Sequence, residues 1–179
     1  MDTDPGLDDT FALLWLLEGF KNNLHHIEGI TSIDGNIDGE KVFSNTVHMV
    51  NLSLPTSTLS TKELRRAMKA IPIAKQNRTN HDHETDFFFG EDGMNGITAD
   101  FRDFPNVFSS KNRVKKKFMS APLSEDFIIE KLQEYPHEIS LLCFGPISNL
   151  HLAETKHPGI LSLAKDIYIM VCSLVTVHS

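Results

Sequence analysis

Short apolar runs that close on glycine-containing turns alternate along this chain with helical patterns, and few folds accommodate that alternation. Ile27-Glu-Gly-Ile-Thr-Ser-Ile33 reads as a strand closed by Asp34-Gly35-Asn36. Ile139-Ser-Leu-Leu-Cys-Phe144 reads as a buried strand that turns at Gly145, and Asp166-Ile-Tyr-Ile-Met-Val171 as a further strand. Helical patterns lie between them: Thr10 to Glu18, stopped by Gly19; Asp38 onward through Val42, Phe43, Val47, Met49 and Val50; a short one from Lys62 to Ala70; Glu125 to Tyr135; and Leu150 to Lys156. Such strand–turn–helix units predict an α/β fold with an open, mostly parallel sheet and flanking helices. Ligands of such sheets sit beyond the carboxyl ends of the strands. Thr10 to Glu18 is apolar nearly all round, which predicts a buried helix. Residues 53–86 give no clear pattern, and residues 102–122 read as a loop or insertion. With no repeat and no linker, residues 1–179 are expected to form a single domain.

The second feature is chemical. Asp2, Asp4, Asp8 and Asp9 fall within eight residues, around the Pro5-Gly6 turn. Each ionised pair a few ångströms apart repels by roughly 1–4 kcal/mol, depending on the local dielectric. A bound hard cation removes that cost, and oxygen-only ligands suit calcium or magnesium. Helix capping by Asp8 or Asp9 explains one or two of the acids, at about 0.3–1 kcal/mol each, and leaves the others unexplained. An EF-hand fails on spacing: counted from Asp2, its glycine position holds Leu7, and counted from Asp4 it holds Asp9. An Asp-x-Asp phosphohydrolase motif fits Asp2-Thr-Asp4 but accounts for neither Pro5-Gly6 nor Asp8-Asp9.

The remaining features restrict the function classes. A net charge of −7 and a pI near 5.7 argue against a general nucleic-acid binder. Lys115-Lys116-Lys117 reads as a solvated loop. Cys143 and Cys172 lie in apolar stretches without metal-ligand spacing and are expected to be buried thiols in a reducing compartment. No stretch approaches the roughly 20 apolar residues of a membrane span, and the acids begin at residue 2, so a cytoplasmic protein without a leader is expected. His81 and His83, flanking Asp82, read as an exposed loop, and Ser148 and Asn149 as helix-start residues.

Asp2-Thr-Asp-Pro-Gly-Leu-Asp-Asp9 resembles the signature of the inosine-uridine preferring nucleoside hydrolases. Further matches follow in order: Ile30-Thr-Ser-Ile-Asp-Gly-Asn36, Asn45, Gly90-Glu-Asp-Gly93, and Phe144-Gly-Pro-Ile-Ser-Asn149. The resemblance implies a calcium-dependent hydrolase that cleaves the N-glycosidic bond of purine or pyrimidine ribonucleosides to ribose and free base, in nucleoside catabolism. It implies Asp4 and Asp9 as calcium ligands, with Asp4 also taking a proton from the attacking water. It implies the backbone carbonyl of Phe144 as a further calcium ligand, Asp8 and Asn36 as ribose-binding residues, and Asp2 as a residue that orients the ligands. Phe89 stands where the family often has His, and Phe144 where it commonly has Thr.

Two features of the family have no match. The strand that precedes the acidic motif would end at Met1. After Met170 the family has paired glycines, a substrate loop and a late His-Asp pair, where this chain has Val171 to Ser179; His178 lacks the surrounding motif. A fold incomplete at both ends is therefore expected. A truncated homologue of weak or no activity stands as the alternative to an active hydrolase, and self-association is one way to supply the missing surfaces.

Overall fold

The computed structural model describes residues 1–53, 61–77, 89–96 and 111–170. Five strands form one open sheet: β1 (Asp2–Thr3), β2 (Ile30–Ser32), β3 (Ile73–Ala74), β4 (Ser140–Cys143) and β5 (Asp166–Ile169). Their order is β3-β2-β1-β4-β5, and every pairing is parallel, as the alternation of strand and helix patterns predicts. The chain steps from β1 outward to β3, then returns to the other side of β1 with β4. That reversal opens a crevice at the carboxyl ends of β1 and β4, the place where open α/β sheets bind ligands.

The helices are α1 (Leu7–Lys21), α2 (Gly39–Leu52), α3 (Thr61–Ala70), α4 (Lys111–Ser120), α5 (Ser124–Glu134) and α6 (Ser148–Lys156), with a 3₁₀ turn at Ile160–Leu163. Asp38 starts α2 as expected: its carboxylate accepts from Glu40 N at 3.0 Å and Lys41 N at 3.4 Å, satisfying donors that a helix start leaves open. Two apolar clusters pack on the sheet. One joins Leu13 and Leu17 of α1, Ile30 of β2, Phe43 and Val47 of α2, and Val114 of α4. The other joins Ile128 and Leu132 of α5, Cys143 of β4, Leu150 and Ala153 of α6, and Ile160. They lie on opposite faces, because Ile30 enters the first cluster while its neighbour Thr31 turns to Asp2 on the side of α6.

Several expectations need correction. The helix at Thr10 to Glu18 is not buried all round, since Phe11 and Trp15 are 73% and 78% exposed. The stripe through Leu13 and Leu17 enters the core, with Leu16 and Phe20 packed at its edge, and Phe11 and Trp15, four residues apart, share the outer face. β4 is half-buried at Leu141 and Leu142 and exposed at Ser140, and all four residues of β5 are exposed. Within 102–122, residues 111–120 are helical, so Lys115 to Lys117 lie on a helix and not a loop. Val114 is buried, and the Phe118 ring meets Phe43 edge-on at 5.3 Å, anchoring α4 despite its charge. Lys117 is partly buried, and that burial lowers its pKa. Cys143 is a free buried thiol as expected; burial and then the charge of Asp2 push its pKa up to about 12. Cys172, His81, Asp82, His83 and residues 102–110 lie outside the described residues. Among the described residues, no helix is long and apolar enough to cross a membrane.

Candidate functional site

β1 delivers the acids. Successive residues of a strand face opposite sides, so Thr3 points toward α1 while Asp2 points toward α6. Asp4 follows at the carboxyl end of the strand, inside the crevice. Pro5-Gly6 then turns the chain into α1, whose first turn carries Asp8, exposed, and Asp9, buried. Gly6 is required by close approach: a Cβ there would meet the Phe89 ring at 2.5 Å and the Asn36 amide nitrogen at 2.8 Å.

Asp4 is held on every side. Its Oδ2 accepts from Asn36 N at 2.9 Å, and Asn36 Nδ2 donates back to the Asp4 carbonyl at 2.9 Å. A Cβ on Gly145 would come within 2.6 Å of Asp4 Oδ1, and one on Gly35 would collide with Oδ2. The two glycine turns read from the sequence thus form a cradle that a larger residue would fill. Asp9 Oδ2 accepts from Thr3 Oγ1 at 2.5 Å and from Asp4 N at 3.1 Å. The Asp4 and Asp9 carboxyls are close enough for each to act on the ionisation of the other. Burial first, and then the neighbouring charge of Asp9, raise Asp4 to about 8. Burial raises Asp9 too, against the lowering effect of the Thr3 hydroxyl. In the metal-free state the two acids therefore share a proton, since both cannot ionise side by side in a desolvated site.

Asp2 lies beneath this pair. Its Oδ1 accepts from Thr31 Oγ1 at 2.6 Å and Asn149 Nδ2 at 2.8 Å, while Oδ2 is buried without a partner. Burial raises its pKa to about 6 against those two hydrogen bonds. Asn149 does more than start a helix: it makes no capping bond, and its amide ties α6 to Asp2 and, at 3.1 Å, to the Ser32 carbonyl of β2. Asn149→Ala removes both bonds at a fully buried position, and it is expected to destabilise the fold by about 2–3 kcal/mol, measured by urea unfolding.

The glycine loop at 89–96 closes the near side. Gly90, Gly93, Asn95 and Gly96 all adopt positive φ, and Asp92 Oδ1 accepts from Met94 N and Gly96 N at 2.9 and 3.0 Å. Asn45, buried on α2, donates to the Asp92 carbonyl at 2.9 Å. That bond pins the loop, so Phe89 packs against Gly6 beside the acids.

The structure thus brings Asp4, Asp9 and Asn36 into direct contact. Phe144 lies on the adjoining strand end, where its N donates to the Asp2 carbonyl at 2.9 Å. Asp8 stands exposed at the rim. Sequence reasoning missed Thr3, Thr31 and Asn149 as supports of the acids. Among the described residues no group of three or more His, Cys, Asp or Glu side chains is arranged to hold a metal ion. The Asp4–Asp9 pair nevertheless suits a hard cation, because a cation would replace the shared proton. It supplies part of the about 6–8 oxygens that calcium takes.

A model of the inosine-uridine preferring nucleoside hydrolases matches residues 1–177. A probable uridine nucleosidase 2 of Oryza sativa subsp. japonica is 28% identical over 176 residues, covering 95% of this chain and 43% of that protein. Uridine nucleosidase 1 of Arabidopsis thaliana is 25% identical over 174 residues, covering 95% and 43%. A solved plant nucleoside hydrolase superposes with a TM-score of 0.67 at 25% identity, covering 94% of this chain and 45% of that one. The chain therefore spans less than half the length of these relatives.

Proposed function

We propose, from the premise that this chain belongs to the inosine-uridine preferring nucleoside hydrolase family, that it carries the calcium- and ribose-binding half of a site that hydrolyses ribonucleosides to ribose and free base. The observation that carries this reading is the desolvated Asp4–Asp9 pair, clamped by Asn36 at the reversal of the sheet. Family membership displaces the Asp-x-Asp phosphohydrolase reading.

Asp4, Asp9 and the Phe144 carbonyl would hold calcium. When bound, calcium acidifies and positions the attacking water. Asp4 would accept a proton from the attacking water. Asp8 and Asn36 bind ribose hydroxyls; the Asn36 amide nitrogen is committed to Asp4, so its amide oxygen is the group offered to a hydroxyl. Cleavage passes through an oxocarbenium-like transition state, and a crevice lined with carboxylates favours its positive charge. The relatives named as uridine nucleosidases support a ribonucleoside substrate.

Calorimetric titration of uridine into the calcium-loaded chain tests the ribose contacts. Asp8→Ala, at an exposed position, is expected to weaken binding at least tenfold, about 1.4 kcal/mol. Equal affinity in wild type and variant would remove Asp8 from the site. The alternative reading is that this chain binds the ribonucleoside without turning it over. Ribose release from inosine or uridine in calcium separates the two.

A further inference from the structure

The Lys115 to Lys117 run belongs to a wider segregation of charge. Residues 61–77 and 111–123 hold ten of the 17 Lys and Arg residues and one of the 24 Asp and Glu. These two segments carry a formal charge of +9 in a chain whose total is −7, so the rest carries −16. They contain α3, β3 and α4. α3 and α4 both pack against α2, and their buried residues Met68 and Val114 enter the same apolar cluster on one face of the sheet. Their outward faces therefore share one side of the molecule. Lys75, at the end of β3, joins them: its N donates to Pro122 O at 2.9 Å, and its ammonium lies 4.8 Å over the Phe118 ring.

Helical spacing turns this charge outward. On α4, Val114 and Phe118 share the inner face, where Phe118 meets Phe43. Lys115 and Lys116 are exposed, and Met119, 69% exposed, stands beside them at three and four residues' spacing. On α3, Lys62, Arg66 and Lys69 are exposed while Met68 is buried. Among the described residues no carboxylate forms an ion pair with any of these five cations. Their mutual repulsion is relieved by an anionic partner. Two observations select the partner. Phe118 is the one aromatic residue in the two helices and faces inward, so no platform is offered for stacking nucleic-acid bases. Met119 exposed among lysines suits a surface with an apolar layer just beneath its charge.

We propose that the face formed by α3 and α4 docks on the surface of an anionic lipid bilayer. Lys62, Arg66, Lys69, Lys115 and Lys116 meet the headgroups, and Met119 enters the boundary beneath them. Each basic side chain held at such a surface is worth roughly a fivefold gain in affinity. The attraction is one of field and not of fit, so it weakens as salt shortens its reach. The same bilayer repels the acidic remainder of the chain, which orients the molecule with α3 and α4 toward the lipid.

The probe is a vesicle of about three parts phosphatidylcholine to one of phosphatidylserine, sedimented with the intact chain at low salt in chelator. Saturable binding is expected, with none to pure phosphatidylcholine and at least a tenfold loss in about 0.5 M salt. Lys115→Glu combined with Lys116→Glu is expected to weaken binding at least tenfold without lowering the melting temperature, because both side chains are exposed and unpaired. Lys62→Gln combined with Lys69→Gln tests the other helix independently, with the same loss expected. Met119→Ser is expected to cost about threefold on vesicles. The proposal is overturned if the neutral vesicles bind equally, if either lysine pair can be replaced without loss, or if Met119→Ser binds as the parent does. Tighter binding of oligouridylate or of poly-glutamate than of the vesicles would assign the face to nucleic acid or to an acidic protein and also overturn it. None of these readouts depends on calcium or nucleoside, so failure here leaves the hydrolase reading intact.

Discussion

The metal-free chain is expected to lose several kcal/mol of stability between about pH 4 and pH 8, and calcium to restore it at the alkaline end. The direction follows from which carboxyls are raised. Asp2 moves from an ordinary 3.8 to about 6 and Asp4 from 3.8 to about 8. A carboxyl raised in the folded state stabilises the fold fully below its unfolded value, and that contribution is lost as pH rises through the folded value. Asp2 alone accounts for roughly 3 kcal/mol at pH 8, and Asp4 with Asp9 adds to it in the same direction. The buried Met1 ammonium, lowered by desolvation from an ordinary 8.0, works the opposite way toward the top of this range and reduces the total. Urea unfolding in chelator across the range measures the slope. Calcium is expected to bind only the folded site, so its stabilisation should grow as the Asp4–Asp9 proton leaves. A metal-free stability flat from pH 4 to pH 8 would contradict the shared-proton description of the pair.

Asp4→Asn carries the second large effect, because one substitution should act in opposite directions on stability and function. Asparagine keeps the shape of the side chain and its bond from Asn36 N, and it removes a charge from a position only 6% exposed. At pH 8 the metal-free variant is expected to be more stable than wild type by a few kcal/mol, because wild type must ionise a desolvated acid there. Under the proposed function the same change removes a calcium ligand and the proton acceptor. The calcium-dependent rise in melting temperature should disappear, and any release of ribose from inosine or uridine should fall by about 10²–10⁴-fold. A variant that keeps both its calcium response and its turnover would take Asp4 out of the chemistry. A variant that is merely unfolded would show in the melting curve itself and cannot mimic the predicted gain.

The sheet and its crevice were legible because their signals are local. Strand runs ended at Gly35 and Gly145, and the acids were spaced around Pro5-Gly6. The same glycines that punctuate the sequence turn out to clear space for the Asp4 carboxylate, a steric demand that a single chain position can record. What escaped reading was either too short or too distant. β3 spans two residues, below any length at which a period of two can be recognised. α4 carries Lys115, Lys116 and Lys117, and its packing rests on Val114 and Phe118, too few apolar positions to mark a helical face. The composition of α1 could not say which face meets the sheet, so Phe11 and Trp15 were misplaced inside. Asn149 matters through bonds to Asp2 and Ser32, 147 and 117 residues away in the chain, and no local pattern encodes such a pairing. The site was legible for Asp4, Asp9 and Asn36 as neighbours; the supports beneath them were not.

The central claim, that Asp4 and Asp9 form a cation site in place of a shared proton, is tested most directly by calcium calorimetry of the metal-free chain at pH 7.5. Running it in two buffers of different ionisation heat counts the protons released. A single saturable site is predicted, with proton release of the order of one per ion, and with both binding and release lost in Asp9→Asn. Absence of saturable heat, or binding that Asp9→Asn leaves unchanged, would contradict it.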